Sequence, residues 1–212
     1  MTRTRTPSAA RGGGAEQGES RQDRKLRTRQ ALVDTTMALA AERGFAAVSL
    51  REVARGAGIV PTAFYRHFES MEDLGATVVG DVIAVLRAAL RSEGNRAVDA
   101  RSVVEVVPDL LVRVRSDEAP FRFLVREIHG GVPEIRDAID RELRVMEKEL
   151  AIDLSRLPQS ANWSARELET AAELVVAIVM AALGQLLDGD RDDSEVVQRA
   201  ERQLSMLLVA ER

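Results

Sequence analysis

The side chains that could do chemistry in this sequence lie together between Thr62 and His67. Thr62 and Tyr65 carry hydroxyls, Arg66 carries a guanidinium and His67 carries an imidazole. Groups of this kind hydrogen-bond phosphates and base edges in the grooves of DNA. The pattern therefore predicts contacts with double-stranded DNA, although His67 taken alone is also compatible with a capping or packing role.

Residues for other kinds of chemistry are missing from the sequence. The chain has no cysteine, its two histidines are far apart, and neither a metal-ligand spacing nor a nucleophile motif is present. We therefore expect no enzyme activity, no metal and no cofactor. A helical-bundle lipid carrier or enzyme that does not bind DNA stays open as the alternative, but it leaves the basic N-terminal region unexplained.

The charge of the chain is unevenly distributed. Residues 1–69 hold 12 Arg or Lys against 7 Asp or Glu, whereas residues 70–212 hold 18 against 27, which gives the net charge of −4. A basic N-terminal module on an acidic body suits a phosphate-bearing partner that meets only one end of the molecule.

The segment around Thr62 has the spacing of a helix-turn-helix. Periodic apolar residues predict a first helix from about Arg24 to Arg43, ended by a left-handed cap at Gly44. Ser49 and Glu52 form a capping box that begins a second helix. That helix ends near 57–58, and a third runs from Pro61 to about Phe68.

The sides of this motif can be assigned from the sequence. Ala54 and Gly58 allow a tight crossing and a positive φ in the turn. We expect the inward face to hold Val53, Ile59, Phe64 and Phe68, and the outward, DNA-binding face to hold Thr62, Ala63, Tyr65, Arg66 and His67. Arg51 on the second helix is a further candidate for a phosphate contact, with a solvated surface residue as the alternative.

Residues 24–80 resemble the DNA-binding domain of TetR-type regulators. The likeness rests on Glu42-Arg43-Gly44-Phe45, on Tyr65-Arg66-His67-Phe68 and on Glu72-Asp73-Leu74. It implies that Thr62 and Tyr65 contact phosphates, that His67 lies near the DNA backbone, and that Ala63 and Arg66 contact bases. Most relatives place a phosphate-binding lysine at the start of the fourth helix, where this chain has Met71.

The rest of the chain predicts an all-α body. A fourth helix begins after the cap formed by Ser70 and Asp73, and its inward face holds Leu74, Val78, Val82, Leu86 and Leu90. Five further helices are expected at 98–115, kinked or split by Pro108, and at 119–129, 133–154, 165–187 and 194–210. We expect a disordered arm (1–23), a helix-turn-helix domain (24–70) and an effector-binding and dimerisation domain (71–212).

The segment 171–187 is apolar almost all round, which predicts burial on most sides. Together with the last helix it suits a four-helix homodimer interface, and a dimer predicts a near-palindromic operator. A monomer with this segment as its core helix is the alternative. The longest apolar run, 174–184, is too short to cross a bilayer, and residues 1–20 lack a signal sequence, so we expect a cytoplasmic protein without a membrane partner.

The body is also expected to hold a small apolar effector. The stretches Phe64 to Phe68, Asp73-Leu74-Gly75 and Phe121 to Glu127 resemble the TetR-type branch that senses fatty acyl thioesters and controls unsaturated-fatty-acid synthesis. The likeness implies a long apolar effector in a tunnel with a cation at its polar end, whose sign of action on DNA binding is open. Arg122 is one candidate cation, and the candidate effector-binding residues are Leu86, Leu110, Val114, Phe123, Arg126, His129, Leu143 and Met146, although ordinary core is the alternative for each apolar one.

Overall fold

The computed structural model of the chain describes residues 20–90 and 103–208, and all regular structure in these two ranges is helical. The all-α prediction is therefore confirmed. The helices are α1 (Arg21–Arg43), α2 (Leu50–Gly56), α3 (Pro61–Phe64), α4 (Met71–Leu90), α5 (Val106–Ser116), α6 (Ala119–Glu127), α7 (Pro133–Leu154), α8 (Ala165–Asp188) and α9 (Asp193–Leu208), with 3₁₀ turns at Phe45–Ala47 and Pro158–Ser160.

Serine caps set the starts of several helices. Ser49 and Glu52 form the predicted capping box of α2, and the predicted cap of α4 is present because the Asp73 N–H donates to the Ser70 hydroxyl at 3.2 Å. α1 begins at Arg21 rather than Arg24, because a further capping box joins Ser20 to Asp23. The last three residues assigned to the arm are therefore helical.

Two later helices differ from their predicted bounds. Residues 103–104 are helical and a turn at Glu105 separates them from α5, which begins at Val106, so the predicted helix is split and Pro108 lies in the first turn after the break, where a missing N–H costs nothing. Residues 98–102 of the predicted helix lie outside the described residues. α6 ends at Glu127, two residues before the predicted end. α9 ends at Leu208, and the remaining predicted residues, 209–210, are also outside the described ranges.

One continuous apolar core runs through the N-terminal head, residues 20–70, and the helical body that follows. α4 joins the two parts because it packs on α1 on the head side and on α7 in the body. Leu74, Val78, Val82 and Leu86 are buried along its inward face, as predicted, while the side chain of Leu90 lies outside the described residues. The head is therefore seated on the body by helix packing and not only by a chain connection.

α8 contains the apolar run that was expected to be too short for a bilayer. The helix itself has 24 residues and is long and apolar enough to cross a membrane, by length and composition only. Half of its most apolar window is buried inside the structure. Core helices of soluble proteins pass the same test, so the length of α8 alone carries no argument for a membrane.

Candidate DNA-binding interface

The α2–α3 pair forms the helix-turn-helix that the sequence predicted. Ala54 has no exposed surface at the crossing, and Gly58 has φ of +70° in the turn. The Ile59 N–H closes that turn by donating to the Ala54 carbonyl at 2.9 Å. Gly44 also has a positive φ, but its ψ of 148° lies outside the left-handed helical region that was expected for the cap.

The recognition segment, residues 61–68, is shorter as a helix than expected. α3 ends at Phe64 instead of Phe68, and the next residues continue as hydrogen-bonded turns, with the His67 and Phe68 N–H groups donating to the Phe64 carbonyl at 2.8 and 3.2 Å. The chain turns inward here because Phe64 and Phe68 are both buried and α4 follows from Met71.

The two faces of the motif lie largely as the sequence predicted. Val53, Phe64 and Phe68 are buried and Ile59 is half-buried. On the other side Thr62, Tyr65 and Arg66 are exposed, with 65% of Tyr65 accessible, while Ala63 and His67 are half-buried. Arg51 is exposed on α2.

A basic groove lies between the first two turns of α1 and the end of the recognition segment. Its volume is about 400 Å³, and it is lined by Arg21, Arg24, Lys25 and Thr28 from α1 together with Arg66 and His67. None of the described residues that line it is a carboxylate. None of its three arginines and one lysine forms an ion pair with a described residue. The groove therefore concentrates positive charge that the described part of the chain does not neutralise.

Sequence reasoning missed the α1 residues of this groove. Arg21, Arg24, Lys25 and Thr28 are spaced i, i+3, i+4 and i+7, which puts them on one face of a helix. That spacing was available, but Arg21 was assigned to the arm and the helix was expected to begin only at Arg24. The Ser20–Asp23 capping box was the signal that could have extended the helix back to Arg21.

The groove wall is stiffened by Arg29. Its guanidinium carbon lies 4.6 Å from the centre of the Phe68 ring, and its Nη2 donates to the Thr77 hydroxyl at 3.4 Å. A cation over an aromatic face is attracted by the ring electrons. Arg29 thus connects α1 with the recognition segment and with α4, which fixes the two sides of the groove against each other.

His67 lies in a strongly cationic environment. Burial lowers the pKa of its imidazole, and the nearby charges of Lys25, Arg29 and Arg66 lower it further. Its Nδ1 is buried and makes no hydrogen bond to another described residue. The imidazole is therefore held neutral near pH 7 in the free protein, and an anion in the groove would favour its protonated form.

The start of α2 is held by a separate ion pair in the head. The Ser49 hydrogen bonds and the Arg43 guanidinium, 2.8 Å from a Glu52 carboxylate oxygen, lower the pKa of Glu52 to about 2. Arg43 is thus engaged in holding the motif together, in contrast to the cations of the groove.

The structure separates the predicted effector-binding residues into two groups. Leu86, Leu110, Val114 and Phe123 have no exposed surface, and Leu143 and Met146 are nearly as deep. These six belong to the one core. The candidate cations do not join them: Arg126 is exposed and donates to the Ala41 carbonyl at 3.3 Å, His129 is exposed, and Arg122 pairs with Glu118 at 2.8 Å.

Comparison with known families covers most of the chain. Residues 32–77 match the family described as bacterial regulatory proteins, tetR family, and residues 100–210 match the tetracyclin repressor-like C-terminal domain. This chain belongs to the tetR family. It is therefore a ligand-responsive, DNA-binding transcriptional regulator, of a family whose members are typically not enzymes.

Several solved structures share the fold of this chain. Salmonella enterica GusR is 19% identical with a TM-score of 0.71, covering 87% of this chain and 97% of its own. A TetR-family regulator from Marinobacter aquaeolei VT8 is 21% identical with a TM-score of 0.63, covering 90% and 100%. FadR from Bacillus subtilis, solved with stearoyl-CoA, is 17% identical with a TM-score of 0.64, covering 86% and 99%.

Proposed function

We propose that this TetR-family regulator is a cytoplasmic repressor that binds a near-palindromic operator as a homodimer and responds to a long apolar effector. The observation that carries the DNA part is the basic groove, which brings cations from α1 next to the exposed recognition segment. Phosphate contacts supply the salt-dependent part of DNA affinity, and unpaired Arg and Lys side chains are the groups that make them.

The contacts with DNA divide by the position of each residue. Thr62 and Tyr65 bind phosphates on the exposed face, and His67 lies close to the backbone within the groove. Ala63 and Arg66 reach base edges. Arg51 makes a peripheral phosphate contact from α2, and the DNA-binding domain extends from residue 24 to residue 70, with the α1 cations widening its footprint.

The dimer forms through α8 and α9. The outer side of α8 leaves 46% of Leu174 exposed, α9 leaves 77% of Met206 exposed, and Ile178 is half-buried beside a shallow cleft between the two helices. Two copies of this surface related by a twofold axis make a four-helix interface. Burial of these apolar side chains supplies its driving force.

Analytical ultracentrifugation tests the dimer with a matched pair of variants. We expect Leu174→Arg to sediment as a monomer, because it places a charge in the apolar interface. Val112→Arg is the control, since Val112 is an exposed apolar residue on α5 with 70% of its surface accessible. A wild-type protein that sediments as a monomer at micromolar concentration contradicts the dimer.

The proposed effector is a fatty acyl thioester or a compound of similar shape. FadR from Bacillus subtilis, which shares this fold, was solved with stearoyl-CoA. Four of the six apolar candidates have no accessible surface, so an acyl chain must displace core side chains to enter. Arg126 and His129 bind the polar end at the rim of the body, after Arg126 leaves the Ala41 carbonyl.

Selection of bound fragments from genomic DNA, followed by fluorescence anisotropy, tests the function as a whole. We expect a nearly palindromic site whose affinity falls steeply with salt. Stearoyl-CoA is the effector probe and free CoA its control, and a change of affinity with the first alone supports the acyl effector. Stearoyl-CoA binding without any salt-dependent DNA binding would favour the lipid carrier instead.

A further inference from the structure

Phe45 occupies the junction between the DNA-binding head and the body. It follows α1 in a 3₁₀ turn, and only 4% of its surface is exposed. Its backbone N–H donates to the Oε1 of Glu127, at the end of α6, across a distance of 2.7 Å. The two residues are 82 positions apart in the sequence, so the bond is a tertiary link between the two parts of the molecule.

Glu127 is an unusual residue to find in this position, because only 1% of it is exposed. Burying a carboxylate is costly unless hydrogen bonds compensate for the lost water. Gly130 makes room for it, because a Cβ at that position would overlap its Oε2. The protein thus encloses this carboxylate beside the Phe45 amide.

The ring of Phe45 is held as closely as its amide. A Cβ on Gly75 of α4 would lie 2.7 Å from the Phe45 Cζ and would also overlap the end of the Ile135 side chain on α7. Both of these approaches, to Phe45 and to Ile135, are closer than any normal contact between carbon atoms. The absence of a side chain at Gly75 therefore lets the ring lie between α4 and α7 while α6 holds the amide.

We propose that Glu127 is a positioning residue that gives the head a single orientation on the body through the Phe45 amide. Glu127 lies one helical turn after Phe123, whose ring is completely buried in the core. A ligand that enters the core against Phe123 moves α6, and with it the carboxylate that holds the head. This last step rests on the proposed function, whereas the fixed orientation does not.

Glu127→Ala tests the positioning role without any effector or DNA. Because the chain has no cysteine, single labels can be placed at exposed Arg55 of the head and Arg191 of the body after substitution to Cys. We expect Glu127→Ala to broaden the distance distribution between these labels. Hydrogen exchange of the Phe45 amide should become at least about tenfold faster, since its acceptor is gone.

Two further variants keep this test decisive. Glu127→Gln keeps an oxygen acceptor and should change both readouts less than Glu127→Ala. Glu118→Ala, at the residue that precedes α6, removes exposed ion pairs with Arg115 and Arg122 and should leave the label distances unchanged. Wild-type label distances and wild-type Phe45 exchange in folded Glu127→Ala would overturn the proposal.

A pair of glycine substitutions on α4 tests the same junction from the side of the ring. Gly75→Ala forces Phe45 or Ile135 to shift and should broaden the label distances, whereas Gly80→Ala has no atom within 4 Å of its new Cβ and should not. Unchanged distances in both variants would contradict a fixed head. If the wild-type protein binds no DNA, the proposed function fails while these label measurements still decide the positioning role.

Discussion

The head and the body of this regulator use their cations differently. In the body, Arg87 pairs with Glu142 and Glu149 at 3.4 and 3.1 Å, and Arg115 pairs with Asp193 at 2.5 Å. In the head, the cations of the basic groove have no ion pair among the described residues. These two arginines of the body therefore serve folding contacts, as Arg43 does in the head, whereas the cations of the groove are left for a ligand.

This difference separates binding candidates from structural residues better than residue type does. Arg122 was a candidate for the polar end of an effector, but its guanidinium is engaged by Glu118 at 2.8 Å. Arg24 and Lys25, which the sequence did not single out, line the groove next to the recognition segment. Four changes test the contrast, in order of decreasing effect on DNA binding.

The largest effect is expected from Arg24→Ala combined with Lys25→Ala. If each side chain binds one phosphate, losing both costs about 3 kcal/mol, which is a roughly 100-fold loss of affinity. The slope of log affinity against log salt should also fall by about 2. Anisotropy titrations with the selected operator at several salt concentrations measure both quantities.

The matched control for this pair lies on α7 of the body. Arg144→Ala combined with Lys148→Ala removes the same number of charges from a surface where Arg144 pairs with Asp140 and Lys148 lies in a cleft with Glu147, Glu169 and Glu173. We expect operator affinity and salt slope to stay at wild-type values. Equal losses in the two double variants would mean that net charge, and not the groove, determines binding.

A smaller effect is expected from Tyr65→Phe, which removes one hydroxyl from the exposed recognition face. If that hydroxyl binds a phosphate, affinity for every DNA sequence should fall by about 1 kcal/mol, or roughly fivefold. Stability should not change, because 65% of the residue is exposed. Equal affinity for operator DNA would make Tyr65 a structural residue, whose ring meets Phe64 edge-on at 5.5 Å.

Local signals explain how much of the head could be predicted from sequence. The Ser49–Glu52 box, the positive φ at Gly58 and the burial of Phe64 each depend on neighbouring residues, and each was foreseen. The groove was not, because it joins α1 to residues 66–67 across the fold. The end of α3 at Phe64 was missed because Phe64 and Phe68 keep the i, i+4 spacing of a helix, and the residues after Phe64 form hydrogen-bonded turns that preserve it.

In the body, too, local patterns were predictable and contacts between residues distant in the sequence were not. Its six apolar effector candidates, for which ordinary core was the alternative, are all buried. Periodicity gave no sign that Glu127 is buried, since a glutamate near a helix end is ordinarily a surface residue. Its partner, the Phe45 N–H, is a backbone group 82 positions away, and nothing in its local sequence identifies it.

A pH effect should distinguish the two histidines of the chain. The pKa of His67 is lowered in the free protein by burial and by Lys25, Arg29 and Arg66. Bound phosphates offset those cations, so the pKa rises in the complex and a proton is taken up. Operator affinity should therefore increase as pH falls below about 6.5, by less than about threefold if the pKa rises by less than about half a unit.

His67→Gln should remove this pH dependence, and His129→Gln is the control because His129 is exposed on the body. Both variants are compared with wild type by operator titrations between about pH 5.5 and 7.5, the range in which an imidazole titrates. A wild-type affinity that is flat over this range, or one that falls with acidification, would exclude proton uptake at His67.

The smallest effect on DNA binding is expected from Arg115→Ala, which tests the body side of the comparison. Asp193 hydrogen-bonds Arg115 and thereby raises the pKa of its guanidinium, while the pKa of Asp193 is lowered. A carboxyl whose pKa is lowered by folding stabilises the fold above its unfolded pKa and loses that contribution as pH falls through the folded pKa. Arg115→Ala should therefore lower Tm slightly near pH 7, and the difference from wild type should shrink as pH falls below 3.8, the usual pKa of an aspartate, and Asp193 becomes protonated. The bond from Arg115 to the Leu186 carbonyl is independent of this protonation. Operator affinity should stay unchanged, and Arg191→Ala, beside Gln185 on the same surface, is the control for Tm. A loss of operator affinity in Arg115→Ala would show that paired cations of the body also serve DNA binding, and the division between head and body would no longer hold.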